Sequence, residues 1–274
     1  MDLLIRDATL LDGSTGHVGV TGNRISHIGP DLPTDEATRT LDGTDRLALP
    51  GLVNAHTHAA MVLFRGYGDD MPLMPWLEER IWPAEAKLTD EDVYWGTRLA
   101  CAEMIRTGTT LFNDMYWKVP NAIRAIDDAG LRATVSGGLI SGGFLGDLKG
   151  EIVELIEMFE SGEFPDRVRL SIAPHAPYTV TPEDLEWCAQ IATDHDLPIQ
   201  IHLSETLREV EECIEQHGVR PAFHLKRCGI LDRPTTLAHG TWLDREELAM
   251  LSGHQATVVH NPVSNLKLAC GQGR

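Results

Sequence analysis

Pro50-Gly51-Leu52-Val53-Asn54-Ala55-His56-Thr57-His58 sets two histidines two residues apart at the end of a short apolar run. Side chains at i and i+2 of a strand point to one face. His56 and His58 can therefore present two imidazoles to a single point, and neutral imidazole is the commonest protein metal ligand. Alone, the pattern also fits two surface histidines before a loop. The rest of the chain decides between the two.

From Arg46 onward, strand and helix signals alternate. Strands are expected over residues 47–53, 109–114, 132–135, 167–173, 198–203, 235–238 and 256–259. Between them lie helical stretches with recognisable punctuation. Thr89 and Thr181 stand as N-caps, Pro182 at a first helical position, and Gly108 and Gly130 as stops. Such alternation argues for parallel βαβ units in an α/β fold. An open doubly wound sheet would favour a glycine-rich phosphate turn after its first strand. Here the first strand ends in His-Thr-His, and no G-x-G-x-x-G or Walker sequence occurs. The stretch 141–146 reads as a flexible loop. A (β/α)8 TIM-type barrel over residues 50–274 is the better fit, preceded by a small β module over residues 1–49.

Histidine placement supports the barrel. Of the twelve histidines, His56, His58, His175, His202, His239 and His260 fall at or just after strand C-termini. In a barrel those ends meet at the face that carries the active site. The others, His17, His27, His195, His217, His224 and His254, read as solvated or capping residues. Ile199-Gln200-Ile201-His202-Leu203-Ser204-Glu205 is the second informative stretch. A ligand imidazole followed by a carboxylate suits metal-assisted acid–base chemistry. By itself Glu205 fits equally well as a cap for the next helix, and His175 or His260 alone reads as structural.

Composition bounds the function. The 42% hydrophobic and 23% charged fractions are those of an ordinary globular chain. No apolar run is long enough to span a bilayer, and Met1-Asp2-Leu3-Leu4-Ile5-Arg6 lacks the features of a signal peptide. A cytoplasmic location is expected. Forty-one acidic residues against 23 basic ones give a formal charge of −18, and only five of the basic residues are lysine. That balance disfavours a nucleic-acid polymer as partner and suits a high-salt cytoplasm. Cys101, Cys188, Cys213, Cys228 and Cys270 form no Cys-x-x-Cys pair and read as buried small hydrophobes. Neither a His-Glu-x-x-His protease helix nor the His-x-Glu…Pro-Cys-x-x-Cys deaminase signature is present.

The stretch 50–58, His202-Leu203-Ser204-Glu205 and Ala238-His239 together resemble the amidohydrolase superfamily. Met74-Pro75-Trp76-Leu77, Ile81-Trp82-Pro83-Ala84-Glu85, Asn113-Asp114-Met115-Tyr116 and Asn261-Pro262-Val263-Ser264-Asn265-Leu266-Lys267-Leu268 narrow it. They resemble the branch of 5-methylthioadenosine/S-adenosylhomocysteine deaminases, 5′-deoxyadenosine deaminases and triazine hydrolases. The similarity runs from residue 1 to about residue 270. It implies that the N-terminal module is half of a composite β-sandwich. His56, His58 and His202 would bind one divalent metal, zinc first and iron as an alternative. Glu205 would relay a proton to the ring and the leaving amine, and also contact substrate. His239 would orient and deprotonate the attacking water. Glu85 would hold ribose hydroxyls and His175 would contact the nucleoside. No lysine follows the fourth strand, where binuclear relatives carry a bridging one, so one metal is expected.

The implied reaction is hydrolytic deamination of a 5′-modified adenosine to the inosine analogue plus ammonia. The partner would be a small nucleoside, with Trp76 or Trp82 stacking on the ring. A guanine- or triazine-type hydrolase is the alternative, and an inactive fragment the other. Two departures stand out. An arginine commonly follows the serine after the third strand, but this chain reads Ser136-Gly137-Gly138-Leu139, with no arginine through Gly150. Smaller 5′ groups are therefore expected over homocysteine. The family's eighth strand and its aspartate have no counterpart before Arg274. A gap between the first and seventh strands, with poor activity and aggregation of the lone chain, is the expectation. Oligomeric state stays open, a homo-oligomer being one form admitted for a full-length chain.

Overall fold

The structure is a computed structural model and describes residues 1–142 and 146–273. Part of the expected loop at 141–146 lies outside the described residues. The chain divides into two units, Met1–Gly51 and the remainder from Leu52. The first holds β1 (Leu3–Thr9), β2 (Thr15–Thr21), β3 (Arg24–Gly29) and β4 (Arg39–Asp42), in the sheet order β3-β2-β1-β4. Gly13 at φ 82° and Gly22 at φ 59° make its two hairpin turns, a backbone region glycine enters without a Cβ clash. β4 pairs parallel to β1. All four of its residues are exposed, so there was no alternation for the sequence to display.

The second unit alternates parallel strands and helices. Its strands are β5 (Leu52–Thr57), β6 (Thr109–Tyr116), β7 (Arg132–Leu139), β8 (Val168–Leu170), β9 (Ala173–Pro174), β10 (Ile199–Leu203), β11 (Thr235–His239) and β12 (Ala256–Val259). Its helices are α1 (Leu73–Trp76), α2 (Trp82–Glu85), α3 (Asp90–Arg106), α4 (Val119–Ala129), α5 (Leu148–Glu160), α6 (Pro182–Asp194), α7 (Leu207–His217), α8 (Pro221–Arg227), α9 (Arg245–Leu251) and α10 (Pro262–Lys267). β5-β6-β7-β8 run parallel, β9 extends the β8 line along β7, and β10-β11-β12 continue parallel. A bridge between Ile172 and Ile199 joins the two runs. The result is an arc of parallel strands wrapped by helices, the α/β barrel architecture. Among the described residues β5 and β12 pair on one side only. A groove lined by Leu52, Val53, His56, His260 and Asn261 opens between them.

Two strand expectations need correction. The first barrel strand occupies Leu52–Thr57, not 47–53. Leu47 instead bridges Thr9 in the first unit, where Thr9 N–H donates to Arg46 O (2.9 Å) and Ala48 N–H to Thr9 O (2.8 Å). Pro50 has no N–H to continue that ladder, so a new strand begins beyond it. The fourth strand is interrupted at Ser171-Ile172, giving β8 and β9.

Helix ends follow the sequence signals. Thr89 and Asp92 form a reciprocal capping box at α3. Thr181 caps α6 with Pro182 at its first position, and Gly130 ends α4 at φ 77°. Ile199, Ile201 and Leu203 on β10 are fully buried. Each contributes roughly 1.5–3 kcal/mol of apolar burial. All five cysteines are free and buried. Among the described residues no helix is long and apolar enough to cross a membrane.

Candidate metal centre

Four imidazoles converge at the C-terminal ends of the barrel strands. His56 lies on β5, His58 follows it at the start of a 3₁₀ turn, His202 is on β10, and His239 ends β11. Ring centroids of His56 lie 4.9 Å from His58, 4.8 Å from His202 and 5.8 Å from His239. His58 and His202 stand 5.2 Å apart, His202 and His239 5.4 Å. The ligand nitrogens of His56, His202 and His239 lie within 4.8 Å of one another. His58 joins them through its Nε2, 3.2 Å from Nε2 of His202. His239, read from the sequence as acting on water, thus stands in one metal-sized group with His56 and His202.

The tautomers fit a cation. Nδ1 of His58 faces the Met115 carbonyl at 2.7 Å, and Nδ1 of His202 faces the His175 carbonyl at 2.7 Å. A carbonyl only accepts, so each Nδ1 carries the proton and each Nε2 a lone pair. Two lone pairs then face each other across 3.2 Å, an arrangement suited to a shared cation. Both nitrogens of His56 are buried without a hydrogen-bond partner. Burial, followed by the neighbouring imidazoles, holds the pKa of His56 and His202 well below the usual range. Burial alone lowers His58. The cluster is therefore neutral, the form that binds metal. A set of nitrogen donors around one point suits zinc, and this arrangement fits a single divalent ion.

Glu205 lies beside the cluster, with Oε1 3.5 Å from Nδ1 of His239. It is buried, and burial followed by the nearby Glu209 carboxylate pushes its pKa up to about 8. It does not cap α7. Thr206 does, accepting from the Glu209 N–H. The Cys270 thiol donates to Oε1 of Glu205 at 3.4 Å. Nδ1 of His239 donates to Oδ1 of Asn265 at 2.7 Å, fixing its ring in turn. The chain turns sharply after this strand: His239 has φ 76° and Gly240 φ 58°. A Cβ on Gly240 would sit 2.5 Å from Val258 Cγ1, so glycine is required there.

Above the histidines lies a pocket whose lining includes Trp76, Trp82, Glu85, His175, Glu205 and His239. Glu85 ends a helical segment that widens into a π-helical stretch at Leu77–Ile81, a feature that often accompanies functional sites. Glu85 Oε1 accepts from the Tyr116 hydroxyl at 2.9 Å, and burial pushes its pKa up to about 7. Nδ1 of His175 meets Oγ1 of Thr179 at 2.8 Å, and its ring lies 4.8 Å from that of His202. His260 lies instead along the groove between β5 and β12. The sequence reading missed Asn265, Cys270 and Tyr116 as partners of the site, along with Asp114, whose Oδ1 accepts the Ala59 N–H at 2.7 Å.

These shifts carry a pH prediction for the metal-free chain. Burial raises Glu85 and Asp114 from ordinary carboxyl values to about 7, and Glu205 to about 8. Their protonated forms stabilise the fold fully at acid pH, and that stability is lost as pH rises through those values. The buried histidines have lowered pKa values, so they oppose this only up to their unfolded value near 6.5. Above about pH 6.5 the carboxyls act unopposed. The melting temperature of chelator-treated protein should therefore fall from about pH 6.5 to about pH 8. Calorimetry across that range checks it, and a rising melting temperature would contradict it.

Comparison with known proteins bears on this geometry. The family model described as "Amidohydrolase family" matches residues 47–272. The chain belongs to the amidohydrolase family. It is 48% identical over 272 residues to a 5′-deoxyadenosine deaminase of Methanoregula boonei, covering 95% of this chain and 61% of that protein. It is 41% identical over 280 residues to a 5-methylthioadenosine/S-adenosylhomocysteine deaminase of Carboxydothermus hydrogenoformans, covering 99% of this chain and 64% of that one. Among solved structures, an adenosine deaminase from Xanthomonas campestris with bound zinc superposes with a TM-score of 0.90 at 35% identity. That match covers 98% of this chain and 64% of the other. The chain thus spans less than two thirds of the length of each of these amidohydrolases.

Proposed function

We propose that the whole protein is a metal-dependent deaminase that converts a 5′-modified adenosine to the inosine analogue and ammonia. The observation that carries this reading is a buried carboxyl, Glu205, raised to about 8 and set against a knot of neutral imidazoles. The deaminase names of relatives at 41–48% identity support it. His56, His58 and His202 are the proposed ligands, with His239 adjoining. When bound, a divalent ion, here proposed as zinc, supplies Lewis-acid activation of water at neutral pH.

The chain's own groups do the remaining work. The purine enters with C6 toward the histidines, between Trp76 and Trp82. Glu85 accepts from ribose hydroxyls, and His175 packs against the nucleoside. Glu205, carrying a proton near neutrality, donates it to the ring nitrogen as water adds to C6. His239, oriented by Asn265, takes a proton from the attacking water. Glu205, now a carboxylate, takes the proton of the new C6 hydroxyl and passes it to the amine, which leaves as ammonia while the C6 carbonyl forms, and the proton held by His239 returns to Glu205. Two protons and one oxygen from water are thereby accounted for.

The 5′ group is proposed to be small and uncharged. Next to the main pocket lies a cleft lined by Trp117, Gly137, Gly138, Asp90, Glu151 and Glu154. Its lysine, Lys118, is paired with Asp90 at 2.8 Å. An acidic cleft repels the homocysteine carboxylate, and no guanidinium from position 137 meets it. We expect kcat/KM for 5′-deoxyadenosine and methylthioadenosine to exceed that for S-adenosylhomocysteine by at least about tenfold, a difference of about 1.4 kcal/mol. Ammonia release across the three nucleosides, guanine and a triazine tests both the reaction and the preference. Release from guanine or the triazine alone would move the protein to another ring. Preference for S-adenosylhomocysteine would place a cation elsewhere in the cleft.

A further inference from the structure

The turn between His202 and Glu205 poses a geometric problem. Along a strand, residues i and i+3 face opposite sides. Continued as a strand, β10 would aim His202 into the barrel and Glu205 away from it. Yet Glu205 Oε1 reaches 3.5 Å from His239 and lines the same pocket as His202. The reversal occurs at Ser204, which adopts φ 48°. That left-handed conformation is uncommon for a residue other than glycine or Asn/Asp.

The chain holds this turn with one side chain. Glu209, on the first turn of α7, is buried, and its carboxylate spans two consecutive backbone donors. Oε1 accepts the Ser204 N–H at 2.6 Å, and Oε2 accepts the Glu205 N–H at 2.8 Å. The Ser204 carbonyl in turn accepts the Trp242 N–H at 2.9 Å. Glu209 does not line the pocket above the histidines. It meets the site only through the backbone of the residue that carries the acid.

We propose that Glu209 is a positioning residue: its carboxylate clamps the left-handed turn at Ser204 and so returns the Glu205 side chain to the face of His202. This rests on the proposed deaminase reading, in which Glu205 carries the proton. Reciprocal acceptance of two adjacent N–H groups needs two acceptor oxygens. Glutamine keeps the volume of glutamate but turns an N–H₂ toward one of the two donors.

Kinetics of Glu209→Gln beside wild type on the whole protein provide the test. A side chain that merely fills space would tolerate the isosteric change. Under the clamp, kcat falls by about 10–100-fold, the scale of a misplaced catalytic group, with KM little changed and one zinc still bound. Adding Ser204→Gly, which enters the left-handed region freely, should recover part of that loss. Wild-type kcat and KM in Glu209→Gln would overturn the proposal. A wild type that deaminates no ring would instead overturn the deaminase reading, so the two failures are distinct. If Glu209→Gln does not fold, amide exchange in wild type decides. Ser204 and Glu205 amides protected to the level of the β10 amides support the clamp, and exchange at loop rates overturns it.

Discussion

Glu205→Gln is expected to leave zinc content unchanged and to lower turnover by about 10²–10⁴, the usual range for a lost general acid. The reason lies in the proton inventory of the pocket. The imidazoles around the cluster are held neutral by burial, His175 at about 3 and His239 at about 4. Glu205, pushed up to about 8, is the proton carrier nearest them. Glutamine preserves its size and its contact with the Cys270 thiol, but has no proton to give. The measurement is single-turnover ammonia release beside zinc analysis of the same sample. A variant with near-normal turnover would reduce Glu205 to a structural member of the α7 junction.

The second large effect concerns the ligands. His202→Ala is expected to weaken zinc affinity by more than about 100-fold, beyond the roughly 10–100-fold typical of outer partners of a metal ligand. The His202 ring is anchored by Nδ1 on the His175 carbonyl, which leaves Nε2 directed toward His58 and the cluster. The His202 backbone N–H also donates to the His175 carbonyl at 3.0 Å. The ring is thus preorganised, and no described neighbour occupies its place. His195→Ala is the control, since that ring lies on the surface against Glu160 at 2.7 Å. Titration with zinc against a competing chelator gives both affinities. Equal affinity in His202→Ala and wild type would move the ion away from β10.

The order of elements was legible because the barrel repeats one pattern, an apolar strand followed by a capped helix. Thr89, Thr181 and Gly130 mark boundaries by chemistry that acts locally, so they read correctly in isolation. The start of β5 was misread because residues 47–49 are as apolar as those after Pro50, and only tertiary pairing with Thr9 separates them. In the site, His56, His58, His202 and His239 could be found because each ends a strand. Their partners could not. Asn265 and Cys270 come from a segment well beyond β11 and resemble ordinary polar and apolar fillers there. Glu209 looks like any acid on an amphipathic helix, and its burial is set by the turn it closes. The left-handed Ser204 carries no glycine or asparagine to announce it.

The central claim, that this histidine cluster holds one metal ion on which adenosine deamination depends, is tested most directly by ammonia release from 5′-deoxyadenosine. It should be followed on the whole protein as purified, after chelation, and after zinc is restored with the metal content counted. The expected result is one ammonia per inosine analogue formed, no release after chelation, and full recovery at one zinc per chain. Release that persists in metal-free protein, or none from any adenosine with one zinc bound at the cluster, would contradict it.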